Sequence, residues 1–216
     1  MSSADLEPED LDDTEGAEAP PEITAPHMTP IELAQFKRLL GGATHYLEFG
    51  CGGSTVLAAS YPLEHIWSLD SDKAWIENCK RQDSVRGLLL DGRITFHHVK
   101  IGPTRRWGYP DGKEYATRWP NYYLSIWQHL DPKLLDLILI DGRWRVQCTF
   151  QSLLRVNPDC ILAMHDFSDK RPEYRAILEF VDVLDQSEKL ITFRRKADID
   201  WQRLALEMPN HMIKAR

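Results

Sequence analysis

A strand that ends in three glycines within four residues narrows the fold of this chain more than any other stretch of its 216 residues. In "HYLEFGCGGSTVLAAS" (45–60), an apolar run carrying Glu48 gives way to Gly50, Gly52 and Gly53 and then to helix-forming residues. Glycine inside regular structure costs roughly 0.5–1 kcal/mol relative to alanine, so such a cluster marks backbone that must turn sharply or approach another group closely. Strand, glycine turn and helix start in succession describe the first crossover of a parallel sheet, with free backbone N–H groups at the helix N-terminus.

The rest of the chain repeats that alternation. "MTPIELAQFKRLLGG" predicts an opening helix, with Thr29 as N-cap, Pro30 at the first position, Glu32 completing a capping box and Gly41–Gly42 as the stop. "THYLEFG", "HIWSLD", "RITFHHVKI", "LLDLILID" and "CILAMHDF" read as five strands, the fourth so continuously apolar that both its faces must be covered. Helices are expected at "STVLAAS" (Ser54 as cap), "DKAWIENCKRQ", around "YYLSIWQHL", at "WRVQCTFQSLLRV" and at "PEYRAILEFVDVLDQ". "LITFRRK" and "QRLALEMP" are expected to close the sheet as an antiparallel hairpin. The expected architecture is a doubly wound, mostly parallel, seven-stranded α/β sheet, whose ligands bind beyond the strands' carboxyl ends.

Charge divides the chain in two. Residues 1–27 hold nine acids and no lysine or arginine, with few large apolar groups, and read as a disordered acidic tail before one domain over 28–216. The domain itself carries 26 basic and 24 acidic residues, so no nucleic-acid partner is indicated. No secretory signal or membrane span is apparent, and Cys51, Cys79, Cys148 and Cys160 show no close pairing. A cytoplasmic protein with free thiols is expected.

The glycine loop does not match a P-loop, because no G-K-[ST] follows, and the third glycine of a dinucleotide fingerprint would fall at Thr55. Glu48-x-Gly50-x-Gly52-Gly53-Ser54 instead resembles motif I of the class I S-adenosylmethionine-dependent methyltransferases, a Rossmann-like family. The resemblance runs over about residues 29–216. It is nearest to small bacterial methyltransferase-like proteins with E-F-G-x-G-x-S-T, D-G-R and H-D-[FY] segments. It implies S-adenosyl-L-methionine as cofactor, with Gly50, Gly52, Gly53 and Ser54 lining it and Glu48 holding its ammonium group. Asp70, at the end of the second strand, would accept both ribose hydroxyls, and Asp141 corresponds to the motif IV acid near the departing methyl group. The family's acidic or amide residue for the adenine amino group has no counterpart in "VKIGPTRRWGYP"; Trp107 with Gly108 either supplies a stacking face instead or, as loop tryptophans more often do, covers apolar surface.

His165 and Asp166 end the fifth strand, beside Asp141 if the fourth and fifth strands pair. A histidine there suits a general base. His165 is the candidate base, Asp141 the group positioning acceptor and cofactor, and Asp166 the orienter of the histidine or a ligand of a divalent metal, as in related O-methyltransferases with paired acids. Arg143 and Arg145 are candidates to clamp a carboxylate or phosphate of the acceptor, with Arg171 and Tyr174 at the same mouth. His97, His98 and Cys51 read as structural. The leading function is methyl transfer, expected at an oxygen of a small-molecule or glycan acceptor. Two alternatives stay open: a nucleotide-sugar glycosyltransferase using Asp70-Ser71-Asp72 on a metal diphosphate, and a non-catalytic cofactor-binding module. The acceptor, metal dependence and any homo-oligomer are left open by the sequence.

Overall fold

The structure, a computed structural model, describes residues 23 and 25–215. Seven strands form one sheet: β1 His45–Phe49, β2 His65–Asp70, β3 Ile94–His98, β4 Leu137–Ile140, β5 Ile161–Met164, β6 Val181–Ser187 and β7 Leu190–Arg195. Their spatial order is 3-2-1-4-5-7-6, parallel through the first five and antiparallel where β7 joins β5 and β6. This is the expected α/β sheet with its antiparallel hairpin.

Side-chain alternation builds a core on each face. Leu47, Phe49, Ile138 and Ile140 point to one side with Trp144, Phe150 and Phe193. Tyr46, Leu137 and Leu139 point to the other with Phe36, Leu40 and Ile66. β4 is therefore buried along its whole length, as its unbroken "LILI" requires.

Helices follow the strands: α1 Pro30–Gly41 precedes β1, α2 Gly53–Ala58 follows it, and α3 Lys73–Lys80 and α4 Asp83–Leu90 lie between β2 and β3. The capping box of α1 is present, with the Thr29 N–H donating to Glu32 (2.8 Å) and the Glu32 N–H to the Thr29 hydroxyl (3.3 Å). Asp72 caps α3 by accepting from the Trp75 N–H (2.9 Å). Between β3 and β4 runs a small hairpin, Thr104–Arg105 against Tyr109–Pro110, then the short α5 Asn121–Leu124 and a 3-10 turn, Ser125–Gln128. The long helix α6, Arg145–Leu153, connects β4 to β5.

Four local expectations are corrected. Gly52, not Ser54, takes the N-cap position of α2, because the Ser54 hydroxyl is drawn to Glu48. Helix α4, not anticipated, forms over "DSVRGLLL", with Val85 and Leu88 turned inward. "PEYRAILEFVDVLDQ" is not one helix: a 3-10 stretch covers Pro172–Glu179 and the chain then extends into β6. The closing hairpin is accordingly β6–β7. "QRLALEMP" becomes α7, Trp201–Glu207, capped by Asp200 through the Arg203 N–H (2.9 Å). Val-Asp-Val pairs well along an edge strand, whereas Leu-Ala-Leu-Glu behind a capping Asp favours helix.

Residues 1–22 and 24 of the acidic tail lie outside the described residues. The end of that segment packs on the domain: Ile23 is buried against Cys51, Ile76 and Cys79. All four cysteines are free and buried. Among the described residues no helix is long and apolar enough to cross a membrane.

Candidate active site

The carboxyl ends of β1, β2, β4 and β5 form one rim. On its first half, Gly50 turns the chain at φ +101°, and a Cβ placed there would lie 2.7 Å from the Gly142 nitrogen. The loops after β1 and β4 thus touch backbone to backbone, which is why both carry glycine. Gly53 has the same constraint from another side: its absent Cβ would lie 2.6 Å from Ala25 and Pro26. The segment before α1 therefore lies against the N-terminus of α2.

Glu48 is fully buried, and hydroxyls fill it. Tyr46 (3.0 Å) and Ser54 (2.9 Å) donate to one oxygen, Ser68 (2.6 Å) and Thr55 to the other. Four donors saturate a carboxylate. Burial still pushes its carboxyl up to about 7, since hydroxyls stabilise the anion less than a cation would. The ammonium-holding role expected for Glu48 finds no free oxygen, and the Ser54 hydroxyl is spent in the same cluster. Both residues brace the loop from behind.

Asp70 lies at the end of β2 and braces the loop from the front. One oxygen accepts the Cys51 N–H (3.0 Å) and the other the Asp72 N–H (2.9 Å), leaving an acceptor position on each. Burial pushes its carboxyl up to about 6 despite those bonds. The buried hydroxyl of neighbouring Ser71 has no hydrogen-bond partner among the described residues. A vicinal diol would supply the donors Asp70 lacks, so these residues fit the ribose of the expected cofactor. Gly108 of the small hairpin stands over this point, its absent Cβ 3.4 Å from the Ser71 hydroxyl. Trp107 beside it meets His27 edge to face at 5.9 Å. The acid-x-acid triplet needs no metal diphosphate to account for it, since Asp72 caps α3 and Asp70 holds the loop.

On the second half of the rim every acid has a cation. Asp141, His165 and Asp166 do converge, as the pairing of β4 with β5 predicts. Arg145, 3% exposed, reaches Asp141 and Asp166 at 3.1 Å each and also donates to the carbonyls of Gly142 and Asp141 (3.0 and 2.8 Å) and of His165 (2.5 Å). Burial would raise the Asp141 carboxyl, but Arg145 and His165 hold it below the usual range. Arg145 is a buried pin, with no donor left for an acceptor. The substrate-clamp role expected of it is corrected on that ground.

His165 is held between two carboxylates: Nδ1 lies 3.2 Å from Asp141 and Nε2 3.4 Å from Glu32. Burial would lower its pKa, but the Asp141 bond and charge raise it. Its orienting partners are Asp141 and Glu32. Asp166 instead bonds Arg145 and, at 3.3 Å, Arg171. The orienter role expected of Asp166 is thus corrected. Asp166 takes φ +61° to make these contacts, and Trp144 takes φ +49° at the start of α6. Left-handed backbone at non-glycine residues costs energy and gathers at functional rims.

The three side chains place ligand atoms within 4.8 Å of one another. A divalent cation does not fit this arrangement, because the Arg145 guanidinium already bridges both carboxylates and would face the ion's like charge.

A cleft of about 460 Å³ opens here, lined by Pro26, Thr29, Glu32, His165, Asp166 and Lys189 among others. That is small-molecule size. Glu32 is the site residue that sequence reading missed. Besides capping α1 it accepts the Lys189 N–H (2.8 Å) and faces His165 across 133 positions, which no local pattern signals. Arg143, in contrast to Arg145, has buried nitrogens with no hydrogen-bond partner among the described residues. Arg171 donates to the Tyr174 hydroxyl (3.0 Å), but Tyr174 is fully buried in the core and not at the mouth expected of it. His97 bonds Ser125 (2.8 Å) and His98 the Ser71 carbonyl (3.2 Å), both structural.

No family model matches the chain, and no curated protein does. Among solved structures it is similar to a methyltransferase-like protein from Silicibacter pomeroyi DSS-3, at 26% identity and a TM-score of 0.75, over 87% of this chain and 96% of that one. The cofactor-bound Rv0187 protein from MTB shares the fold at 14% identity and a TM-score of 0.56, over 81% and 84% of the two chains. By that first match, its strand order and its glycine loop, the chain is similar to the class I S-adenosylmethionine-dependent methyltransferases and shares their fold.

Proposed function

We propose that the protein transfers a methyl group from S-adenosyl-L-methionine to a hydroxyl oxygen of a small molecule or sugar seated in the cleft beside His165. The observation that carries this is the division of the rim. Asp70 keeps acceptor positions open and suits a ribose, while the Asp141–His165–Glu32 chain reaches the cleft through His165 and Glu32. When bound, the cofactor supplies an electrophilic methyl group on a positively charged sulfur. The chain's own work is to orient the acceptor and to take its proton.

His165 is the group for that proton. In the resting arrangement both ring nitrogens face carboxylates and the imidazolium is favoured. The contact to Glu32 is the longer, and Glu32 lines the cleft. An acceptor hydroxyl replacing Glu32 at Nε2 would find a neutral ring once the proton is shed, with Asp141 fixing Nδ1. Turnover is therefore expected to rise with pH, with a midpoint above 6.5, because the base form appears only above the raised pKa.

Melting with S-adenosylhomocysteine tests the reading. A ligand at a hundredfold excess over Kd adds about 2.7 kcal/mol of apparent stability, so a clear upward shift is expected. No shift at millimolar ligand overturns the assignment. With cofactor binding established, His165→Ala should lower turnover on the order of 10²–10⁴-fold while leaving the melting shift in place.

A further inference from the structure

A buried arginine ordinarily ends on carboxylates or carbonyls, and Arg145 does so with all its donors. Arg143, two residues earlier, does not. It is 7% exposed, and among the described residues its Nε and Nη1 have no hydrogen-bond partner. What covers it is the Tyr109 ring, 4.1 Å from Cζ. The two acids nearby are engaged elsewhere: Asp141 with Arg145 and His165, Asp166 with Arg145 and Arg171. Three guanidinium groups thus share two carboxylates, and Arg143 is the one left over.

The surroundings of Arg143 are built for negative charge. Burial would raise the Tyr109 phenol, but Arg143 and then Arg171 pull it below its ordinary value, so both guanidinium groups act on one oxygen atom. Arg171 is anchored by Tyr174 (3.0 Å) and Asp166. Tyr109 sits on a hairpin of two-residue strands with two residue pairs, and so short a two-stranded ribbon adds little stability of its own. An oxyanion entering beneath it would meet an unpartnered Arg143 N–H, at Nε or at Nη1, and a second cation in Arg171.

We propose that Arg143, with Arg171 and Tyr109, forms a subsite for an oxyanion, a carboxylate or phosphate carried by the methyl acceptor. This rests on the methyltransferase reading above, and it narrows the acceptor to an anionic hydroxy compound. Asp141, two residues before Arg143, and His165, 3.2 Å from Asp141, connect the subsite to the proposed base. The cofactor's own carboxylate is the other source of the same chemistry.

Calorimetric titration with inorganic phosphate, with and without saturating S-adenosylhomocysteine, tests the subsite. Phosphate binding that persists with S-adenosylhomocysteine present, and that weakens tenfold or more in Arg143→Met, is the expected result. Arg171→Gln should weaken it several-fold, and this variant serves if Arg143→Met fails to fold. Phosphate binding abolished by S-adenosylhomocysteine would overturn the acceptor assignment in favour of the cofactor's carboxylate. Absence of phosphate binding in the parent, or binding unchanged in the variants, would overturn the subsite itself. Phosphate binding in a protein that does not bind S-adenosylhomocysteine would leave the subsite standing and remove the methyltransferase reading.

Discussion

Asp70 and Asp141 occupy equivalent positions, each at the carboxyl end of a buried parallel strand, yet their electrostatics are opposite. Asp70 and Glu48 face hydroxyls and backbone N–H groups, and burial drives both carboxyls up. Asp141 faces Arg145 and His165, which hold it down. On the β1–β2 half Glu48 is saturated while Asp70 keeps open acceptor positions, so this half gains most from a neutral ligand rich in hydroxyls. The β4–β5 half has its charges matched within the protein, save for Arg143, and gains from an added anion. A rim so divided can bind two different molecules side by side without one site competing for the other's ligand.

The strongest way to break this contrast is to remove the cation on the matched side. Arg145→Ala leaves Asp141 and Asp166 buried without their shared partner, and a loss of about 3–5 kcal/mol is expected. Urea unfolding of parent and variant measures it. A loss under 1 kcal/mol would mean that the two carboxylates find water or protons easily, and the matched half would not be matched.

On the β1–β2 side, Asp70→Ala should remove most of the S-adenosylhomocysteine melting shift, about 2.7 kcal/mol at a hundredfold excess over Kd. The variant's own stability also falls, because the Cys51 and Asp72 N–H groups lose their acceptor. The readout is therefore the ligand-induced difference, not the absolute Tm.

A gentler perturbation is pH. A diol donates to the charged form of Asp70, so binding favours ionisation. Below the free-state pKa of about 6, each pH unit should weaken cofactor affinity by up to tenfold, about 1.4 kcal/mol, while affinity is flat above it. Calorimetry between pH 5 and 8 checks the sign. Affinity that improves on acidification would place the ribose elsewhere.

The smallest effect is expected at Glu48. Its folded pKa of about 7 lies above the usual 4.5, so the native state holds more protons than the unfolded chain between those values. Its contribution to stability is full below pH 4.5 and declines as pH rises to 7. Glu48→Gln keeps the shape and removes the titration. It should change stability by about 1 kcal/mol near neutrality, and the gap to the parent should move in the variant's favour as pH rises. A variant that loses ground with rising pH would show that the carboxylate is stabilised, not penalised, by its four hydroxyls.

Much of the fold was legible because it rests on local patterns. The glycine turn, the capping box at Thr29–Glu32, the apolar "LILI" and the acids at strand ends each act within a few residues, and the sheet order follows from parallel crossovers. The C-terminal elements were misread where two local preferences were close, at "VDVLDQ" and "RLALE", and edge pairing with β7 decided the first. In the site, the sequence by itself determined which residues reach the rim: Gly50, Asp70, Asp141, His165 and Asp166 all do.

Which groups remain available there was decided only by the tertiary structure. Glu48 and Ser54 are consumed by a hydroxyl cluster, Arg145 by its neighbours' carbonyls and carboxylates, and His165 by Glu32 from a helix 133 positions away. Arg143 and Arg145 look alike in "DGRWR", yet one is saturated and the other keeps two nitrogens without a partner among the described residues. The physical reason is that a strand end fixes where a side chain emerges. Hydrogen-bond saturation and charge pairing depend on whatever other segments bring within about 3 Å, and that is set by packing across the whole chain.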